Sequence, residues 1–194
     1  MKILLIVVFG LMAVAQWTVP GVMIRNKEKV LLKGKAFHFR TEPIDPSDPF
    51  RGRYVSLNFR ASDFTAAPLD SSLQSYDEVY VVLEKDKDGF AAIKNVVKQQ
   101  PAGSIDYVRA TLGYIDAMGG DTAVLHINYP FTEFYMDEYK APAAESVYRE
   151  SNIDSTQKTY AVVKILNGEA AIKDIMINEK PIKQVIEEME KNKK

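Results

Sequence analysis

The chain contains no cysteine. That removes disulfides, thiolate metal sites and cysteine nucleophiles together, and leaves the redox compartment open. Histidine is nearly absent too, with only His38 and His126. Neither sign of charge is in real excess: 25 bases stand against 26 acids, and beyond the first 24 residues 24 bases stand against 26 acids, a balance of −2. Such a balance provides no basic face for nucleic acid. There is no Asn-X-Ser/Thr sequon, no G-x-S-x-G elbow, no H-E-x-x-H helix, no P-loop and no G-x-G-x-x-G turn. No metal or cofactor is therefore expected. What is present, 46% hydrophobic and 26% charged residues over 194 positions, suits one globular domain with an appendage.

The appendage is residues 1–24. Ile3 to Ala15 is apolar throughout apart from a glycine, and only Gln16 and Thr18 add polarity before Arg25. The apolar reach Ile3–Ile24 has the length needed to cross ~30 Å of hydrocarbon as a helix. Trp17 suits an interface, and Pro20-Gly21 is expected to kink or end the helix. The rival reading is a signal peptide, with Lys2 as a minimal n-region and Ala13-Val14-Ala15 as the cleavage site. Cleavage there would give a short leader and leave Trp17, Val19, Val22, Met23 and Ile24 as an apolar tail. An uncleaved anchor in the lipid bilayer is the expectation. Arg25, Lys27, Lys29, Lys33 and Lys35 follow it, which the positive-inside rule would keep in the cytoplasm. Long domains translocate regardless of local charge, and the A-x-A pattern favours export, so an exported domain is expected.

Residues 25–194 read as mainly β. Lys29–Leu32 and Lys35–Arg40 suggest a hairpin about Gly34, with Phe37 and Phe39 alternating with His38 and Arg40. Arg53–Phe59 alternates with Val55, Leu57 and Phe59 on one side. Glu78–Glu84 looks buried on both faces and turns at Asp88-Gly89 into Phe90–Val97. Asp106–Ile115 and Thr122–Tyr129 are joined at Met118–Asp121, and Thr159–Leu166 meets Ala170–Ile177 through Asn167-Gly168. A short helix Ala143–Arg149 after Pro142 and a final one after Pro181, with Ile182, Val185, Ile186 and Met189 as its stripe, complete the pattern. The terminal lysines suit the end of that helix. Eight or so short strands predict an antiparallel β-sandwich or partly open barrel, with an N-terminal transmembrane helix and a short C-terminal helix.

The candidate site is the corner ahead of the Arg53 strand. Pro43, Pro46 and Pro49 are spaced by three, as are Glu42, Asp45 and Asp48. In a polyproline II run successive acids stand ~9 Å apart, too far to share one cation unless the Asp-Pro steps bend. The plainer reading is a structural corner: prolines stiffen the lead-in, Asp45 and Asp48 accept nearby N–H groups, Arg51 or Arg53 pairs with an acid, and Gly52 supplies a turn or bulge. The sharper one is a recognition surface of Asp45, Asp48, Arg51, Gly52, Arg53 and Tyr54, the arginines meeting an acidic group and Tyr54 anchoring the strand.

Gly52-Arg53-Tyr54-Val55-Ser56-Leu57-Asn58-Phe59, behind Asp45-Pro-Ser-Asp-Pro-Phe-Arg51, resembles the signature of the GDYXXLXY proteins, a bacterial family named for its motif and without an assigned activity. Gly52, Tyr54 and Leu57 match; Arg53 stands where the name has Asp, and Phe59 where it has the last Tyr. The Val-Tyr-Val-Val-Leu-Glu hairpin and the Tyr-Pro-Phe-Thr-Glu-Phe-Tyr-Met run are similar in layout. The resemblance implies an envelope protein held by one helix in the bacterial inner membrane. With an exported domain this means a periplasmic module, a binding or scaffolding accessory to a polytopic membrane protein. The competing class is an envelope hydrolase using Asp48 and Glu133 as acid and base on a glycan or peptide. Tyr129, Phe131, Phe134, Tyr135 and Tyr139, with Glu133, Asp137 and Glu138, are read as a segment sealing one end of the core, or else as a lid. His38 and His126 are read as outward strand residues.

Overall fold

The computed structural model describes residues 2–42, 54–137, 139–153 and 157–192. Helix α1 spans Lys2–Lys33 as one element, with Pro20 inside it. Residues 25–33 include Lys, Glu and Leu, all good helix formers, and no breaker before Gly34, so the helix runs on past the apolar stretch. The expected hairpin about Gly34 is therefore corrected: Lys29–Leu32 forms the last turns of α1, and Pro20-Gly21 does not end it. A proline is tolerated in such a helix because its missing N–H breaks only one bond of the ladder.

Gly34 marks the junction. Its N–H donates to the Val30 carbonyl at 2.8 Å, closing the helix. A Cβ on Gly34 would stand 2.5 Å from the Val30 oxygen and 3.0 Å from both the N and the O of Ile165, so only glycine fits. Strand β1 (Lys35–Glu42) then starts at once, burying Phe37 and Phe39 and leaving His38 and Arg40 half-buried on the other face.

Next come β2 (Tyr54–Ser56), β3 (Asn58–Phe59), a single 3-10 turn at Arg60–Ser62, and β4 (Asp63–Ala66). The chain continues through β5 (Glu78–Lys85), β6 (Ala91–Val97), β7 (Tyr107–Gly119), β8 (Thr122–Asn128) and β9 (Glu133–Tyr135) to helix α2 (Ala141–Ile153). Strands β10 (Thr159–Leu166), β11 (Glu169–Ile177) and β12 (Lys180–Pro181) and helix α3 (Ile182–Asn192) end it. One sheet has the order β12-β11-β10-β1-β3, a second β4-β8-β7-β5-β6, and β2 pairs with β9. Among the described residues the named strands pair antiparallel. The Gly168 carbonyl accepts the Arg109 N–H at 3.0 Å and ties the sheets together. The result is a nearly closed barrel, mainly β.

The hairpins follow from turn chemistry. Asn167 (φ 51°) and Gly168 (φ 83°) both take the left-handed conformation that a two-residue turn demands. The turn at Asp88-Gly89 is fixed by Asp86, whose carboxylate accepts the N–H groups of Asp88 (2.9 Å) and Phe90 (2.8 Å). In β5 only Val79, Val81 and Leu83 are buried; Tyr80 and Val82 are half-buried, where the unbroken apolar run predicts burial on both faces. Helix α2 is longer than expected, because Ala141, Ala144, Val147, Tyr148 and Ser151 continue one buried stripe. In α3 Ile182 and Ile186 are buried and Val185 half-buried, while Met189 is exposed.

The core centres on aromatic rings. Phe39 packs against Phe59 (5.3 Å between centroids), Phe131 (5.4 Å) and Tyr129 (5.6 Å). These tilted and edge-on arrangements suit ring quadrupoles. The segment after β8 thus seals the core, with Tyr129, Phe131 and Phe134 buried and Tyr135 and Tyr139 outside.

Gly34→Ala should cost about 1–3 kcal/mol, since the new methyl meets backbone on both sides. Thermal unfolding in detergent should show a lower midpoint, and limited proteolysis should find a new cut between residues 25 and 35. An unchanged midpoint would refute the close-packed junction.

Candidate functional site

Of the six residues expected to form the site, Asp45, Asp48, Arg51, Gly52 and Arg53 lie outside the described residues, as does Glu138 of the aromatic run. Tyr54 is described. It opens β2 opposite Tyr135 of β9, with the two rings 5.6 Å apart.

The motif strand does not stay in one sheet. Tyr54, Val55 and Ser56 pair with β9, and Asn58 and Phe59 pair with β1. Between them the Leu57 N–H donates to the Thr132 carbonyl at 2.8 Å, and its side chain is buried. Phe59 sits among Phe39, Tyr129 and Phe131, with no polar tip to satisfy. Packing thus accounts for the motif positions Tyr54, Leu57 and Phe59.

Beside the end of β1 lies an open groove of about 800 Å³ between β1, the β5–β6 turn, the end of α2 and the start of β10. Arg40 is its most constrained cation. Its guanidinium lies 2.5 Å from Asp88 and 3.5 Å from Asp86, and 4.3 Å from the centroid of the Phe90 ring. Arg60 faces Glu42 at 3.4 Å. Sequence alternation places Arg40 outward, but nothing local predicts its partners, which lie more than forty residues away in the chain.

The groove floor is polar. The Thr41 hydroxyl lies 2.8 Å from Asn152 Oδ1 and 3.1 Å from the Thr159 carbonyl. Asn152 Nδ2 and the Ser151 hydroxyl both donate to the Tyr148 carbonyl, at 2.9 and 2.8 Å. Thr159 and Ser151, both buried, bond to each other at 3.0 Å. Among the described residues the hydrogen-bond partners of Ser151 are the Tyr148 carbonyl and Thr159. Beneath Thr41 the Tyr148 hydroxyl is buried without a hydrogen-bond partner among the described residues. Burial pushes it up to about 12, although Thr41, the Asn58 backbone and Asn152 stand near enough to oppose the shift.

The histidines are outward strand residues, each in an aromatic setting. His38 lies 5.0 Å from Tyr160, and burial, with Lys85 second, lowers it from its ordinary value. His126 stacks on Tyr114 at 3.8 Å, and its nitrogens face Asp63 (2.8 Å) and Asp116 (3.3 Å). These carboxylates sit on opposite sides of the ring, so they do not converge on one point. Among the described residues no group of three or more His, Asp or Glu side chains could hold a metal ion. Of the hydrolase pair, Glu133 accepts a hydrogen bond from the Tyr135 hydroxyl, and Asp48 lies outside the described residues.

Tyr148→Phe removes an unsatisfied buried hydroxyl and should leave stability unchanged or raise it by up to about 1 kcal/mol. The pH dependence has a definite sign. The unfolded tyrosine ionises near ~10 and the folded one near about 12, so the native chain progressively loses stability across that interval. Chemical denaturation from pH 9 to 12 should show a shallower fall for Tyr148→Phe than for the unmodified protein. Parallel curves would refute the burial of this hydroxyl.

A family model described as GDYXXLXY protein matches residues 16–175, from inside α1 to within β11. No curated protein and no solved structure matches the chain. With most of its length matched, the chain belongs to the GDYXXLXY protein family.

Proposed function

We propose that the protein is a binding or scaffolding module of the bacterial envelope, held in the inner membrane by α1, with its β domain on the periplasmic side. The observation that carries this reading is the continuity of α1 with the domain. Val7–Lys33 is long and apolar enough to cross a membrane and buries none of its apolar window within the protein. The far end of the same helix is clamped to the sheet. Val30 is buried, Lys27 Nζ donates to the Ala170 carbonyl at 3.0 Å, and Lys164 Nζ donates to the Gly34 carbonyl at 3.0 Å. A helix fixed in this way gives the domain one height and one tilt above the bilayer, which suits a scaffold better than a tethered enzyme.

The same contacts support retention of the helix. Cleavage after Ala15 would leave half of α1 attached to the domain, with Trp17 84% and Ile24 68% exposed. Such surface calls for lipid or a membrane partner. On the side of the membrane, long domains cross regardless of flanking lysines.

The recognition surface we assign is Asp45, Asp48, Arg51, Gly52, Arg53 and Tyr54, and the partner a polytopic membrane protein. The support is positional: this stretch joins Glu42, on the rim of the charged groove, to Tyr54, where the packed part of the motif begins. Groove and stretch together carry both signs of charge, which favours polar, specific contacts.

Two measurements test this. A C-terminal alkaline phosphatase fusion should be active and a matching β-galactosidase fusion silent; the reverse would overturn the periplasmic assignment. Proteins captured from detergent-solubilised membranes should include a polytopic partner that Arg51→Ala loses. An unchanged set would remove Arg51 from the recognition surface.

A further inference from the structure

Helix α1 carries a second pattern on the face it turns away from the sheet. At about 100° of rotation per residue, Lys27, Val30 and Gly34 share the side that meets β10 and β11. Arg25, Lys29 and Lys33, spaced by four, share a second stripe centred about 130° round the helix. All three are exposed, and none has a salt-bridge partner among the described residues. Their neighbours differ: Lys27 is 3.7 Å from Glu169, and Lys35 is bonded to Asp106. The domain neutralises the two cations that face it and leaves the other three unpaired. Glu28 is the one acid on this part of the helix, and Leu32, 74% exposed, lies on the basic face.

We propose that Arg25, Lys29 and Lys33 form a collar that binds anionic phospholipid headgroups in the leaflet where α1 leaves the membrane. This rests on the anchoring reading above. Rising 1.5 Å per residue, the three stand ~1.5, ~7.5 and ~13.5 Å beyond Ile24, and the headgroup layer is ~5–8 Å deep. Their long side chains reach back toward that layer, with the stems over apolar surface and the charges among phosphates. Three unpaired cations directly continuous with an apolar span complement an anionic bilayer surface. The domain side of α1 is already occupied by protein, so lipid has one face on which to bind.

The sole tryptophan, Trp17, reports on this directly, because it lies on the same helix below the collar. The full-length protein is reconstituted in phosphatidylcholine bilayers containing an equal mole fraction of brominated phosphatidylglycerol or brominated phosphatidylcholine, and Trp17 quenching is compared. Brominated phosphatidylglycerol should associate about fivefold more strongly. The preference should vanish in the Arg25→Gln/Lys29→Gln/Lys33→Gln variant and in high salt. It should persist in the charge-preserving Arg25→Lys/Lys29→Arg/Lys33→Arg variant. Equal quenching by the two lipids, or a preference that survives the glutamine variant, overturns the collar and leaves the anchor standing. No quenching by either lipid overturns both.

Discussion

The close approach of Gly34 to Ile165 is the constraint on which the architecture turns. It lets the last turn of a long apolar helix lie against β10 with no spacer, and lets β1 begin one residue later. Backbone meets backbone there, so the junction cannot slide without breaking van der Waals contacts on both sides. The polar clamps of Lys27 and Lys164 sit around that contact and satisfy carbonyls at the helix end and the β11 edge. Lys164 and Lys27 are individually modest contributors, being partly exposed. Their value lies in direction, since each bond fixes how the helix is rotated about its axis.

From this junction β1 carries order into the barrel. Phe37 and Phe39 point inward because the strand alternates, and Phe39 meets the rings of Phe59, Tyr129 and Phe131 contributed by distant parts of the chain. Tyr129 keeps its hydroxyl satisfied by donating to the Ala61 carbonyl at 2.6 Å. The outer face of β1 is treated differently. Arg40 is held by two aspartates of the β5–β6 turn and by an aromatic ring, so a surface cation becomes a cross-link between the two sheets. One strand thus serves the core, the inter-sheet contact and the groove.

Much of this was legible in the residues. The hairpins at Asp88-Gly89 and Asn167-Gly168 were readable because left-handed turns accept few residue types, and the inward set Val55, Leu57 and Phe59 because alternation is a local signal. The continuation of α1 through Lys29–Leu32 was not. A run of lysine and valine fits a strand as well as a helix, and the deciding contact, Gly34 against Ile165, joins positions more than a hundred residues apart. The groove was hidden for the same reason. Thr41, Asn152 and Thr159 carry no pattern in sequence and acquire meaning only when α2 packs beside β1. The split of the motif strand between two partners was equally invisible, since alternation continues unbroken through Leu57.

That split bears on what the family motif records. Leu57 sits where the strand passes from β9 to β1, and the aromatic at 59 fills the centre of the ring cluster. A phenylalanine in place of a tyrosine is tolerated there because the site is apolar and a phenol would need its own acceptor. In this chain these letters serve packing. Arg53 stands where the family name has an acid, and it lies outside the described residues. On the proposed reading Tyr54, Leu57 and Phe59 hold the strand in place, and the charged residues ahead of them set what it recognises.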